Sequence, residues 1–269
     1  RRVLFRSIVD AIRTPGGKRG GKLSTWHPVD LAAEALKALA ARNNLDPALV
    51  DDVIMGCVSQ VGAQAFNVGR SAVLAAGWPE SVPSTTIDRQ CGSSQQALHF
   101  AAQGVISGAY DVVIAAGVEV MSTVAMGSSI GKDAGFPFGP AVMKRYESRG
   151  GLKGQGIGAE MIADQWGISR EDLDAFSAES HKRAARATAE GRFDNEIIPI
   201  QLKDAEGNFT GEVMKEVAAS FQAALLARWT QGERGAALVV VAALGMAMVS
   251  IRHSLSTRKF LSSVGSQVV

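Results

Sequence analysis

Apolar residues recur along this chain in two rhythms. Between Val29 and Arg42 they fall at 31, 32, 35, 36, 39 and 40, one stripe of a helix with 3.6 residues per turn. Asn43-Asn44 and Pro47 end that stripe. Val68 to Ala76 predicts a second helix, closed by Gly77 with Pro79 behind it. Gln95 to Ile106 predicts a third, ending at Gly108. Helical patterning returns from Gly158 to Trp166. Ser169 with Asp172 three residues on then forms a capping box for a helix running to Glu190, where Gly191 stops it. The other rhythm is short and continuous. Ile8–Pro15, Val53–Val58, Pro83–Ile87, Val112–Gly117 and Phe193–Leu202 read as strands. Strands alternating with helices imply an α/β fold, with a parallel or mixed sheet covered on both faces.

Three stretches stand outside these rhythms. Residues 123–158 are rich in Gly, Ser, Met and Pro, long for a plain loop and expected to be functional or a small subdomain. Arg1 to Ser7 matches one reading frame of a common sequencing adapter, so residues 1–7 are expected to be foreign, with native sequence from near Ile8. A genuine basic N-terminal strand is the alternative. After about Val213 the patterning fades. Met214 to Trp229 has helical character, and Gly235 to Ile251 is an apolar run between Arg234 and Arg252. That run is at the short limit for a bilayer, which needs about 20 residues. A buried strand or out-of-frame translation is the preferred reading, and no membrane span is expected.

Composition narrows the function classes. A net charge of +2 without a basic cluster gives no footprint for nucleic acid. Two cysteines, Cys57 and Cys91, argue against a disulfide-stapled secreted domain and for a reducing compartment such as the cytoplasm. The four histidines, His27, His99, His181 and His253, have no paired spacing with cysteine or carboxylate, so no metal site is expected. No signal-peptide layout is present at the N-terminus.

The candidate chemistry sits in Asp88-Arg89-Gln90-Cys91-Gly92-Ser93-Ser94-Gln95-Gln96. A strand runs into Cys91 and a helix begins just after it. Unpaired N–H groups and the positive end of a helix dipole converge there and favour the thiolate, which is the nucleophile. Gly92, Ser93 and Ser94 leave the thiol unwalled, which suits covalent acyl transfer. An inert buried cysteine is the competing reading from local context alone. Cys57, inside an apolar strand, reads as packing. His27 precedes Pro28 near a helix start, His99 lies on the helix after Cys91, and His181 lies on a charged helix. None of them is a convincing general base, which acyl transfer normally needs.

Taken together, these segments resemble the thiolase family, the acetyl-CoA acyltransferases and 3-ketoacyl-CoA thiolases. The matching blocks are Asp10–Lys18, Met55-Gly56-Cys57-Val58-Ser59-Gln60, Asn67-Val68-Gly69-Arg70, Arg89–Ala97 and Ala116-Gly117-Val118-Glu119-Val120-Met121-Ser122. Gly158–Ala163, Ser169–Ser177 and Glu190–Ile200 follow in order. Order and spacing hold from about residue 8 to 213.

The resemblance implies a thiolase-like fold. One βαβαβαββ half, residues 8–120, would carry Cys91 on a helix that the family buries between two halves. Residues 121–213 would be a loop domain over the CoA cleft, and residues 214–269 are left unassigned, as a frameshifted or misassembled tail. It also implies a ping-pong reaction through a Cys91 acyl-enzyme, with CoA and acyl-CoA as substrates rather than a separate cofactor, and a homodimer or homotetramer in full-length relatives. The family's Gly-His-Pro motif, late cysteine and oxyanion asparagine have no counterpart here. Its His-Met pair in the loop domain is replaced by Gly154-Gln155, so CoA contacts are not carried over. The resemblance therefore implies the N-terminal half plus loop domain of a truncated enzyme, expected to be inactive alone. A ketoacyl-synthase-like condensing enzyme and a non-catalytic CoA-binding or assembly module are the alternatives.

Overall fold

The structure is a computed structural model, and it describes residues 7–131 and 135–215. Residues up to Arg6, the predicted helix beyond Lys215, the apolar run Gly235–Ile251 and His253 lie outside the described residues. The described residues divide into two compact units, residues 7–131 and 135–139 with 184–215, and residues 140–183. The sequence reading cuts the chain at 120/121 and 213/214 instead.

In the first unit the elements run α1 (Pro28–Asn43), β1 (Asp52–Gly56), α2 (Val68–Ala75), β2 (Ser84–Ile87), α3 (Ser93–Ser107) and β3 (Val113–Gly117). The three strands form a parallel sheet in the order β2-β1-β3. This is the helix-covered parallel sheet that the alternation of rhythms predicts. Successive side chains of β1 point to opposite faces. Val53 and Met55 join Leu36 and Ala40 of α1 and Val68, Ala72 and Val73 of α2 in one large core, together with Ile114 and Trp78. Ile54 points the other way, against Ala97 and Ala101 of α3.

Caps explain where the helices stop and start. Asn44 takes the left-handed conformation at φ 46° and closes α1. The Asn67 side chain accepts from the Arg70 N–H at 3.2 Å and opens α2, and its Nδ2 donates to Ser84 O at 2.8 Å. Close packing of α2 on the sheet uses Gly69, where a Cβ would stand 2.7 Å from Met55 Cβ.

An antiparallel hairpin, β4 (Ile200–Lys203) and β5 (Phe209–Met214), completes this unit. Ile200, Leu202 and Met214 form a further core with Leu23, Trp26, Leu31 and Val120. The second unit holds α4 (Pro140–Glu147), α5 (Gln155–Trp166) and the first part of α6 (Arg170–Ala189). The predicted capping box is formed: Ser169 Oγ donates to Asp172 Oδ2 at 2.7 Å, and the Asp172 N–H donates back to Ser169 Oγ at 3.1 Å. The Ser169 hydroxyl, and after it the Ser169 N–H that donates to the same oxygen at 3.1 Å, hold the Asp172 carboxyl below its ordinary value. No side chain of α4, α5 or α6 is buried.

Several expectations need correction. Ile8–Pro15 is not a strand: only Arg13 pairs, with Ile197, and Ile8 and Val9 are exposed. Its neighbour, residues 196–198, offers partners to that one residue alone. The predicted strand Phe193–Leu202 shrinks to β4, because residues 193–197 turn back through Ile197 N–H to Phe193 O. Strand β1 ends at Gly56, so Cys57 lies beyond it. Helix α3 starts at Ser93 rather than Gln95, and α5 at Gln155 rather than Gly158. The hairpin's second strand has no counterpart in the sequence reading, nor has α4. Helix α3 packs Ala97 and Ala101 on the sheet and leaves Leu98, Phe100 and Ile106 exposed.

Candidate active site

Between β2 and α3 the chain makes one tight turn, Asp88 to Gly92. Asp88 Oδ1 accepts from the Gln90 N–H at 2.6 Å. This supports Gln90 in the left-handed region at φ 48°, an uncommon conformation for a residue with a Cβ. Ser93 Oγ donates to Gln90 O at 2.6 Å and accepts from Arg89 N at 2.9 Å. The Gly92 and Ser93 N–H groups donate to Arg89 O and Gln90 O, each at 3.0 Å. The Arg89 guanidinium donates to Gln96 Oε1 one turn into the helix. Cys91 lies inside this bracing yet remains exposed, directly before Gly92 at the start of α3. The structure therefore places the sequence-predicted nucleophile at the strand–helix junction, with its thiol open to solvent.

Two glycines set where the start of α3 can rest. A Cβ on Gly56, at the end of β1, would meet Ser94 N at 2.4 Å and Ser93 C at 2.5 Å. A Cβ on Gly117, at the end of β3, would meet Ser94 Oγ at 1.8 Å. Only glycine lets the helix start sit this low on the two strand ends. Cys91 is thus carried to the carboxyl end of the parallel sheet, the usual position for ligand sites in open α/β sheets. Both glycines are visible in the sequence, but their contact partner is not.

Cys57 differs from Cys91 in every respect. It is buried, and its thiol lies 3.8 Å from Glu119 Oε2 and 3.4 Å from Gln64 Nε2. Burial, reinforced by the carboxylates of Glu119 and Asp88, pushes its thiol up to about 12. At neutral pH it is a protonated donor and no nucleophile. The packing role expected from sequence holds, but as part of a polar network that sequence reasoning missed. Glu119 accepts from Val58 N at 2.9 Å, Ser59 N at 3.4 Å and Gln64 Nε2 at 2.7 Å. Gln64, fully buried, accepts from Val120 N at 2.8 Å through its Oε1.

The three described histidines, His27, His99 and His181, do not gather at one place. His27 accepts from Val29 N at 3.3 Å and caps α1, while His99 is exposed on α3 and His181 sits on α6. No hydrogen bond joins a histidine to Cys91 among the described residues. No group of three or more His, Cys, Asp or Glu among them is placed to hold a metal ion. A cleft of about 440 Å³ bounded by Trp26, Glu34, Pro199, Gln201, Phe209 and Val213 shares no residue with the Cys91 turn. Among the described residues no helix is long and apolar enough to cross a membrane.

Comparison with known proteins gives a consistent picture. A family model described as the N-terminal domain of thiolase matches residues 6–231, wider at both ends than the stretch read from the sequence. The steroid 3-ketoacyl-CoA thiolase FadA6 of Mycobacterium tuberculosis is 48% identical over 200 residues, covering 73% of this chain and 49% of that protein. A 3-ketoacyl-CoA thiolase of Escherichia coli is 45% identical over 202 residues, covering 74% and 50% respectively. One from Shewanella denitrificans is 44% identical over the same length. The chain spans about half the length of these curated relatives.

Proposed function

The chain belongs to the thiolase family, and we propose that it is the N-terminal part of an acyl-CoA C-acyltransferase in which Cys91 carries the acyl group. The observation that carries this reading is the exposed Cys91 thiol in a braced turn at the start of α3, seated on Gly56 and Gly117. In this reading the Cys91 thiolate attacks the keto carbon of a 3-ketoacyl-CoA. The bond between that carbon and the α-carbon breaks, the electron pair is protonated, and acetyl-CoA leaves. The thiol of free CoA then attacks the Cys91 thioester, releases the shortened acyl-CoA and returns the proton-bearing thiol. The reverse sequence is a Claisen condensation.

Residues 8–120 would form the catalytic half and 121–213 the part that covers CoA. CoA and acyl-CoA would enter as substrates, in a cytoplasmic enzyme assembled as a dimer or tetramer. The names of the relatives favour thiolysis over a ketoacyl-synthase reaction. With no histidine bonded to Cys91 among the described residues, the chain by itself should acylate but not turn over, since a missing general base costs roughly 10²–10⁴-fold.

The test is mass spectrometry after incubation with acetoacetyl-CoA. An acetyl adduct on Cys91, absent in Cys91→Ala, is expected, without steady-state release of acetyl-CoA. No adduct at saturating ligand would overturn the acyl-enzyme and leave a non-catalytic CoA-binding module.

A further inference from the structure

We propose that Glu119 is a positioning residue for Cys91, acting through the loop that follows β1; this rests on the reading of Cys91 as the nucleophile. Glu119 is the group in this region with the largest number of converging donors: two backbone N–H groups, the Gln64 amide and the Cys57 thiol. All four come from residues 57–64, the segment leaving β1, whereas Glu119 leaves β3. A carboxylate with this many donors fixes the relative position of the two loops more firmly than a neutral acceptor would.

From there the path to Cys91 is short and continuous. The Cys57 N–H donates to Ile87 O at 3.0 Å, and Ile87 is the last residue before the Asp88 turn. The Val118 N–H donates to Gly56 O at 3.0 Å, locking the two strand ends together. Ser93 and Ser94, at the start of α3, rest on those same ends at Gly56 and Gly117. Glu119 therefore clamps both supports of the turn: the strand ends under α3 and the residue from which the turn departs. Buried Gln64 completes the clamp by joining Ser59 O at 2.9 Å and Val120 N at 2.8 Å.

Glu119→Gln keeps the shape and replaces one acceptor oxygen with a donor, which must then face another donor. The experiment uses the full chain and measures the rate of Cys91 alkylation by iodoacetamide from pH 6 to 10. Cys57 labelling reports opening of the fold. The expected result is that the rate-versus-pH curve of Cys91 leaves the wild-type curve, changing the rate at pH 7 by about threefold or more, while circular dichroism is native and Cys57 stays unlabelled. Glu119→Asp, which keeps the charge and shortens the reach, should lie between the two. A folded Gln or Asp variant whose curve superimposes on the wild type overturns the proposal. So does opening of both variants, seen as equal labelling of Cys57 and Cys91, since Glu119 would then serve stability alone. Failure of the nucleophile reading is separate: wild-type Cys91 would alkylate with iodoacetamide yet take no acyl group from acetoacetyl-CoA.

Discussion

The two faces of the parallel sheet are built on different principles. On one face, α1 and α2 close a core with large side chains: Leu36, Val53, Met55, Val73 and Trp78. On the other, α3 packs the small Ala97 and Ala101 against Ile54, and leaves Leu98, Phe100 and Ile106 around the rest of its circumference exposed. The first face is held by buried apolar volume. The second is held by close approach, with Gly56 and Gly117 letting the start of α3 rest on the strand ends and Gly104 of α3 leaving room for the Tyr110 ring. Cys91 belongs to the second face. A nucleophile placed by close backbone contact remains open to solvent, whereas one placed by packing would be covered as Cys57 is.

If this contrast is right, the two faces fail to opposite kinds of substitution. The largest effect is expected from truncation on the packed face. Leu36→Ala removes a side chain that is 2% exposed and should cost about 2–5 kcal/mol in urea denaturation. A smaller loss than about 1 kcal/mol would mean the core is not closed there. Enlargement is the matching test on the other face. Gly56→Ala drives a Cβ into the backbone of Ser93 and Ser94, and should cost about 3 kcal/mol, the upper end for overpacking. It should also change Cys91 alkylation while leaving Cys57 protected. A neutral Gly56→Ala would break the idea that proximity holds α3.

A third test separates the two cysteines by pH. The Cys57 thiol is raised from 9.0 to about 12 in the folded chain. The folded state therefore holds this proton more tightly than the unfolded state. Its contribution is complete below about pH 9 and is lost as pH rises towards 12, with a slope of up to about 1.4 kcal/mol per pH unit. Tyr110, raised by its bond to Asp52 and by burial, adds a loss of the same sign. Urea midpoints measured between pH 8 and 11 should thus fall less steeply in Cys57→Ala than in the wild type. Equal slopes would remove Cys57 from the alkaline transition.

Much of the packed face was legible before any coordinates. Of the stripe at 31, 32, 35, 36, 39 and 40, positions 31, 32, 36 and 40 are buried and 35 and 39 are half-buried at its edge, and Cys91 stood out through its immediate neighbours. What escaped depends on partners distant in the chain. Ile8–Pro15 has strand composition, but pairing belongs to two segments, and its neighbour bonds only Arg13. Strand β5 alternates too weakly to be seen, with Gly211 at φ 81° interrupting it. The turn before it closes through Asn208 N–H, which donates to Asp204 Oδ1 at 2.8 Å, a pairing the sequence reading did not pick out. Glu119 was visible only as a letter in a family block. Its donors lie 55 to 62 positions earlier, and no periodicity reports such a separation. The reason for Gly56 and Gly117 was hidden in the same way: a glycine announces freedom, not the backbone that comes against it.

The smallest expected effect lies on the far side of α3, and it decides whether that side is a surface. Leu98 is 43% exposed, and Ala102 and Ile106 continue its stripe at intervals of four. Leu98→Gln keeps helix propensity nearly unchanged. With little apolar burial to lose, it should alter stability by no more than about 0.5 kcal/mol. The Cys91 turn should be untouched, since its bonds run through Asp88, Arg89 and Ser93 rather than through Leu98. Urea denaturation and the rate of Cys91 alkylation check the two halves of this statement. A loss near 2 kcal/mol would mean that something packs on this side in solution, and the two faces would then differ in what covers them rather than in how they are built. An unchanged midpoint with unchanged alkylation leaves α3 held from the sheet side alone, by Ala97 and Ala101 against Ile54 and by the close approach at Gly56 and Gly117.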